Sequence, residues 1–312
     1  MTVQLAPLPS DRYDDWFAAT RERLIALRHD SGSLVGTDAD AAVDLFLGEM
    51  LAQGLETLTS VILTVDDGGR RLGTAWIAAN NGILFVVDLA WEVTPDERQR
   101  DGLLAALRSL AAEHRVDRIS IAVFASDAGG RAFAVGRGFE VASIQMLLEP
   151  VPHRDTVPEV RVVPMTPERF TSFAAASEAA FADDLVASGR YSPEDAAVES
   201  HRQMMLELPD GVASPGQELF VAEVDGVEVG VLWFGMRTRG SRPHAFILDI
   251  EVGAEHRRRG YGRAMMQAAE REAVRLGAES IGLHVFGFNT GAIRLYESLG
   301  YRRLEERFLL SV

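Results

Sequence analysis

The residues Arg257-Arg258-Arg259-Gly260-Tyr261-Gly262-Arg263 join guanidinium groups to two glycines just ahead of a helical pattern. Glycine lets a backbone turn sharply and approach a ligand closely. The amides that follow open a helix, where the first N–H groups lack intrahelical partners and carry partial positive charge. Such a turn can cradle a pyrophosphate, with arginines adding charge at its rim, although a tight turn uses glycines with no ligand at all. One helix and one strand later, Asn289, Ala292, Tyr296 and Gly300-Tyr301 follow in order. Asn289 and Tyr296 lie about two helical turns apart, so both can face one groove. Tyr296 also reads as an ordinary amphipathic tyrosine half in the core.

The elements that position these groups are legible around them. Phe246–Val252 alternates as a strand, with Phe246, Leu248, Ile250 and Val252 on one face and Ile247, Asp249 and Glu251 on the other. That parity holds only if no β-bulge interrupts the strand. After the arginine cluster, Met265, Met266, Ala269, Ala273 and Leu276 recur at helical spacing up to Gly277. Ser280–Phe286 forms the next strand and sets Gly282 and His284 opposite Ile281, Leu283 and Val285. Asn289 then caps a helix that stops at Gly300, and Glu305–Leu310 is a closing strand. Upstream, Leu219–Val224 and Glu228–Phe234 form a hairpin about Asp225-Gly226, a pair suited to its turn.

A related layout occurs earlier in the chain. Gly73-Thr74-Ala75-Trp76 matches Gly230-Val231-Leu232-Trp233, Trp91-Glu92-Val93 matches Ile250-Glu251-Val252, Val123-Phe124 matches Val285-Phe286, and Gly138-Phe139 matches Gly300-Tyr301. Four anchors in the same order, each displaced by roughly 160 residues, indicate an internal repeat. The first copy has helical segments near Arg12–Arg28 and Ala41–Gln53, then a hairpin of Ser60–Val65 and Leu72–Ala78 about Asp66–Gly69. The expected architecture is α+β, two domains in tandem, each a mixed, mostly antiparallel sheet flanked by helices. Residues 1–150 form the first domain, 151–158 a Pro-rich linker and 159–312 the second. Matching Val93 to Val252 sets Arg98 at Arg257, Asp101 at Gly260 and Leu103 at Gly262; further on, Asp127 stands for Asn289 and Ala134 for Tyr296. A carboxylate at the cradle repels phosphate, so the first copy is expected to keep the fold without the site.

The 47% hydrophobic and 25% charged composition supports an ordinary core. The formal charge of −15 disfavours nonspecific nucleic-acid binding. All 31 basic residues are arginines, which makes the cluster at 257–259 stand out, although a charge run is commonly a solvated face. With no cysteine there is no disulfide, thiolate metal site or thiol nucleophile. Apolar stretches fall far short of the ~20 residues of a membrane span, and no secretory signal pattern opens the chain; a cytoplasmic protein without membrane association is expected.

On the motifs Ile250-Glu251-Val252, Arg257-x-x-Gly260-x-Gly262 and Asn289…Tyr296…Gly300-Tyr301, the second half resembles the bacterial proteins of the GNAT superfamily of N-acetyltransferases. The match is close from Leu219 to Val312 and looser back to about Val160. The resemblance implies acetyl-CoA as co-substrate, no metal, and an amine acceptor that attacks directly. It implies that the amides from Arg258 to Arg263 hold the pyrophosphate, with Arg257 at the rim and Ala292 beside the arm. Ile250 and Val252 would pair with the pantetheine arm, Asn289 would contact the same arm, and Tyr296 would protonate the departing thiolate. An amine of pKa near 10.4 costs on the order of 4–5 kcal/mol to deprotonate at neutral pH, so a base is useful. His284, Asp249 and Glu251 all remain candidates for it, or for binding a cationic substrate. The acceptor site is expected from Phe181–Gly211, where Ser192 starts a helix and Asp183, Asp184, Glu194 and Asp195 are either cation binders or surface charge. A mycothiol-synthase-like specificity and a non-catalytic acyl-CoA-binding or regulatory protein are the rival readings, and a homodimer stays open.

Overall fold

The structure, a computed structural model, describes residues 3–80, 82–153, 160–189 and 191–312. The expected linker lies outside the described residues from Arg154 onward, as does Arg190 in the expected acceptor segment. In chain order the first half runs β1 (Val3–Pro7), α1 (Tyr13–Ser31), α2 (Thr37–Met50), β2 (Ser60–Asp67), β3 (Arg70–Asn80), β4 (Ile83–Trp91), α3 (Glu97–Glu113), β5 (Arg118–Phe124), α4 (Ala128–Ala134) and β6 (Glu140–Leu148). The second half runs β7 (Arg161–Pro164), α5 (Pro167–Ala187), α6 (Pro193–Glu207), β8 (Gln217–Val224), β9 (Val227–Arg239), β10 (Arg242–Val252), α7 (Tyr261–Arg275), β11 (Ser280–Phe286), α8 (Thr290–Leu299) and β12 (Arg302–Ser311).

Local chemistry sets many of these boundaries. Asp225 and Gly226 both take positive φ, 52° and 78°, as a two-residue hairpin turn of the primed type requires. Ser192 caps α6 by accepting from the Asp195 amide, and Asn289 caps α8 by accepting from Ala292. Gly277 and Gly300 lie in the left-handed region, where the chain leaves α7 and α8.

The chain divides into two compact units, Met1–Ala142 with Leu304–Val312, and Ser143–Arg303. A boundary at 150 is therefore displaced: the closing strand of each half is counted with the other half's sheet. The first unit's strands run β1-β2-β3-β4-β5-β12, and the second unit's run β6-β11-β10-β9-β8-β7. Open edges of β5 and β11 need a paired strand, and in each case it comes from the other half of the sequence. Within each unit, one parallel pair (β4 with β5, β10 with β11) is joined by a crossover helix, α3 or α7.

Both units bury the two faces of their sheet. In the first, Leu103, Leu107 and Phe133 pack on one face, while Trp16, Val43, Leu47 and Trp76 pack on the other. In the second, Met265 of α7 packs with Val229, and Phe173 of α5 and Met204 of α6 pack with Trp233. Strand register corrects one anchor of the repeat. Trp76 pairs with Asp88 and Trp233 with Asp249; Gly73 pairs with Trp91 and Gly230 with Val252. Trp91 is thus the counterpart of Val252, not of Ile250. The repeated glycine has a steric cause: a Cβ on Gly73 would lie 2.0 Å from the Ala90 carbonyl oxygen, and one on Gly230 2.2 Å from that of Glu251.

Candidate active site

Two openings meet at the end of β10. The first is the mouth of α7. Gly260 sits at φ +88° and Arg258 at φ +65°, so the backbone twists through the left-handed region twice before the helix begins. No side chain caps α7. The Arg263 and Ala264 amides turn back to the Gly260 carbonyl at 3.0 and 3.2 Å, and among the described residues the amides of Arg258 to Gly262 have no protein acceptor. A Cβ on Gly262 would find ordinary contacts, 3.5 Å from Leu295 and 3.8 Å from Val252, so packing alone does not demand a glycine there.

The arginine rim is smaller than expected. Arg257 folds back, donating to the Val252 carbonyl at 3.0 Å and to Glu251 at 3.1 Å, and Arg263 donates to Ser298 on α8 at 2.6 Å. Arg258 and Arg259 remain as exposed cations beside the open amides.

The second opening is a cleft of ≈ 460 Å³. Parallel pairing of β10 with β11 runs from His244↔Ser280 to Ile247↔Leu283 and stops there among the described residues. A bulge causes the change. Ile247 pairs with Phe234 and Asp249 with Trp233, leaving Leu248 as the extra residue. Leu248 accordingly packs with Phe173 and Trp233, while Ile250 and Val252 pack beneath α7 with Met265. The unbroken alternation expected from the sequence, with Leu248 on the face of Ile250 and Val252, is thereby corrected.

Asp249 and Tyr296 line this cleft with His284 and Asn289. Burial raises the Asp249 pKa above the usual carboxylate range; the hydrogen bond donated by Ser177 of α5 at 2.5 Å opposes the rise, while the charges of Glu251 and Asp184 add to it. Tyr296 is 8% exposed, and its pKa is pushed up to about 12 by burial and then by the Asp249 charge. His284 is exposed, with its ring edge-on to Phe286 at 5.5 Å. Glu251 does not line the cleft; its side chain is 54% exposed and bound to Arg257. The Asn289 side-chain oxygen caps α8 by accepting from the Ala292 amide at 3.2 Å.

Of the four acidic residues singled out in the expected acceptor segment, Asp184 reaches the cleft, whereas Asp183, Glu194 and Asp195 are exposed; Glu207, in the same segment, also lines it. Ser177 and Glu178 of α5 and Gln145 of β6 also line it. No motif surrounds these three. The one signal for Gln145 is a lone polar residue inside the apolar run Ile144-Gln145-Met146.

The first unit shows what closes such a site. Its α3 is capped by Asp96, which accepts from the Gln99 amide in a capping box, so a carboxylate occupies the place of Gly260. Asp101, expected at that place, lies within the helix and pairs with Arg137, because the turn before α3 is shorter than that before α7. Leu103 and Ala134 are fully buried core residues. Asp88, the counterpart of Asp249, is buried and clamped by Arg23 of α1. Trp16 and Phe46 pack against Trp76 on the same face.

An open helix mouth, parted parallel strands, a buried tyrosine and a buried carboxylate lie together in the α+β fold of the second unit. Residues 179–301 match the Acetyltransferase (GNAT) family. The uncharacterised N-acetyltransferase YycN of Bacillus subtilis (strain 168) is 29% identical over 147 residues, which are 47% of this chain and 94% of that protein. A mycothiol acetyltransferase of Thermobispora bispora is 34% identical over 87 residues, 27% of this chain and 30% of that protein. The crystal structure of a GCN5-related N-acetyltransferase from Sphaerobacter thermophilus is 19% identical with a TM-score of 0.52, covering 99% of this chain and 95% of that one, and shares the fold along its length. Among the described residues, no helix is long and apolar enough to cross a membrane.

Proposed function

We propose that the second unit transfers the acetyl group of acetyl-CoA to a primary amine by direct attack, while the first unit is catalytically silent. The observation that carries this reading is the contrast at the two helix mouths: a carboxylate fills one, and the other offers a row of unengaged amides beside Arg258 and Arg259. Helix N-termini of the second kind suit a diphosphate. The gap between β10 and β11 leaves the Ile250 backbone without a β11 partner among the described residues, which favours the fit of an extended pantetheine chain there, while the Val252 carbonyl accepts from Arg257. When bound, acetyl-CoA supplies a thioester activated toward amines.

The residues of the cleft then divide the proton work. Asp249 is the base best supported: it is buried in the cleft, its affinity for a proton is raised, and the Ser177 hydroxyl orients it. Taking the proton of an ammonium frees the nitrogen lone pair for attack, an effect typically worth 100- to 10,000-fold in rate. Glu251 is held outside by Arg257, and the exposed His284 suits contact with the acceptor. Tyr296 keeps its Oη proton throughout the neutral range and donates to the sulfur that departs. Neutralising Asp249 also removes a charge that raises the Tyr296 pKa, so the two proton movements assist each other.

Calorimetry on the full chain tests the donor site, with one acetyl-CoA bound per chain expected. Two would refute the silence of the first unit, and none would refute the proposal. A thiol-release screen over amines, amino acids, polyamines, aminoglycosides, peptide N-termini and mycothiol-type acceptors then finds the substrate; binding without release for any acceptor would favour a sensor of acyl-CoA.

A further inference from the structure

Strand β6 is encoded in the first half of the chain, yet from Ser143 to Leu148 it belongs to the second unit and pairs antiparallel with β11. Its side chains there are buried with one exception, Gln145. Gln145 stands directly opposite His284, and both line the cleft that holds Asp249 and Tyr296. Facing residues on adjacent strands carry Cβ atoms ~4.5–5.5 Å apart, which sets the two side chains side by side in the cleft. An exposed amide adds nothing to the core of this strand, so its place in the cleft needs another account.

The geometry points to Gln145 as a specificity-determining residue that hydrogen-bonds the acceptor, and to preferred acceptors that carry a neutral amide or hydroxyl close to the amine. This rests on the acetyltransferase reading of the cleft. Two kinds of polar group line the cleft. Asp249, Asp184, Glu178 and Glu207 bring carboxylates to it, whereas Gln145, opposite His284, brings an amide that is neutral at every pH and both donates and accepts. Opposite His284, a neutral polar group on the acceptor finds in Gln145 a partner that can both donate to it and accept from it. Sites built to hydrogen-bond a substrate group discriminate against analogues that lack it, because the protein group is then left unpaired.

Isosteric pairs test this with the full chain: ethanolamine against propylamine, and glycinamide against isobutylamine. Wild-type kcat/KM is expected to favour the polar member about three- to tenfold, the range of one neutral hydrogen bond. Gln145→Met keeps volume and removes the amide. It should bring the ratio near one by raising KM for the polar member rather than KM for acetyl-CoA, and Gln145→Ala should do the same. A ratio near one in wild type, or a preference that survives Gln145→Met, overturns the inference, as does failure of every amine to bind. Calorimetric binding of the amines gives a readout without turnover. If the preference appears there and vanishes in Gln145→Met while no thiol is released, Gln145 keeps its role and the acetyltransferase reading falls.

Discussion

Replacing Tyr296 with phenylalanine removes one oxygen from the cleft and little else. The ring packs against Tyr301 with centroids 6.0 Å apart, and phenylalanine preserves that contact, so the fold should be unaffected. The pKa of about 12 stands two units above a free phenol, which at ~1.36 kcal/mol per unit is about 3 kcal/mol of added preference for the protonated form. A thiol titrates near 8.5, so complete transfer of the Tyr296 proton is uphill by about 3.5 units while Asp249 is charged. Most of the benefit must therefore come from the hydrogen bond made as negative charge develops on sulfur, with full transfer aided once Asp249 is neutral. The expected loss lies at the lower end of general-acid effects, about 100-fold in kcat. Thiol release with saturating acceptor measures it; calorimetry should give the same acetyl-CoA affinity as wild type, and urea unfolding the same stability within ~0.5 kcal/mol. A second consequence is that kcat/KM should show no descending alkaline limb from Tyr296 below about pH 11. A Tyr296→Phe enzyme within threefold of wild-type kcat, or one whose loss resides in acetyl-CoA affinity, would refute the assignment.

Other expectations follow from the same geometry. Gly262→Ala meets only ordinary contacts within the protein and should leave Tm equal or slightly higher, while a methyl at the helix mouth weakens acetyl-CoA binding about tenfold or more; equal affinity by calorimetry would remove the cradle from the account. Asp184→Asn deletes a like charge that raises the Asp249 pKa, so the acid limb of kcat/KM should move to lower pH, and a shift upward would contradict Asp249 as the base. His244 is buried over Gly282 with its pKa lowered to about 4, chiefly by burial and then by Arg239. Its depressed pKa means that stability is intact above pH 6.5 and declines toward pH 4, by on the order of 3 kcal/mol. His244→Asn should flatten that decline in urea titrations run at several pH values; an unchanged slope would mean that other groups govern acid unfolding.

Features that depend on a few neighbouring residues could be read directly from the chain. The Asp225-Gly226 turn, the Ser192 and Asn289 caps, and the glycines at 277 and 300 each satisfy a local backbone requirement, and each element lies where those residues place it. The open mouth of α7 belongs with them, since a glycine in the N-cap position cannot supply a capping oxygen. Its counterpart was harder to see. Asp96 closes α3, but matching the two halves residue for residue pointed to Asp101, because a shorter turn shifts the helix start without any mark in the composition.

Relations between distant segments had to come from three dimensions. A bulge changes which side chains share a face, and nothing in Ile247-Leu248-Asp249 announces it; register is set jointly by all paired strands. Arg257 pairs with Glu251 instead of standing free, and Ser177 reaches Asp249 across 72 positions of chain, because helix packing brings those side chains together. Residue types and their spacing were enough to propose a donor site, a tyrosine acid and three rival carboxylate or imidazole bases. Choosing among those bases, and finding that β6 from the first half walls the cleft, required the packed sheet, since burial and strand pairing arise from many weak contacts that no short segment contains.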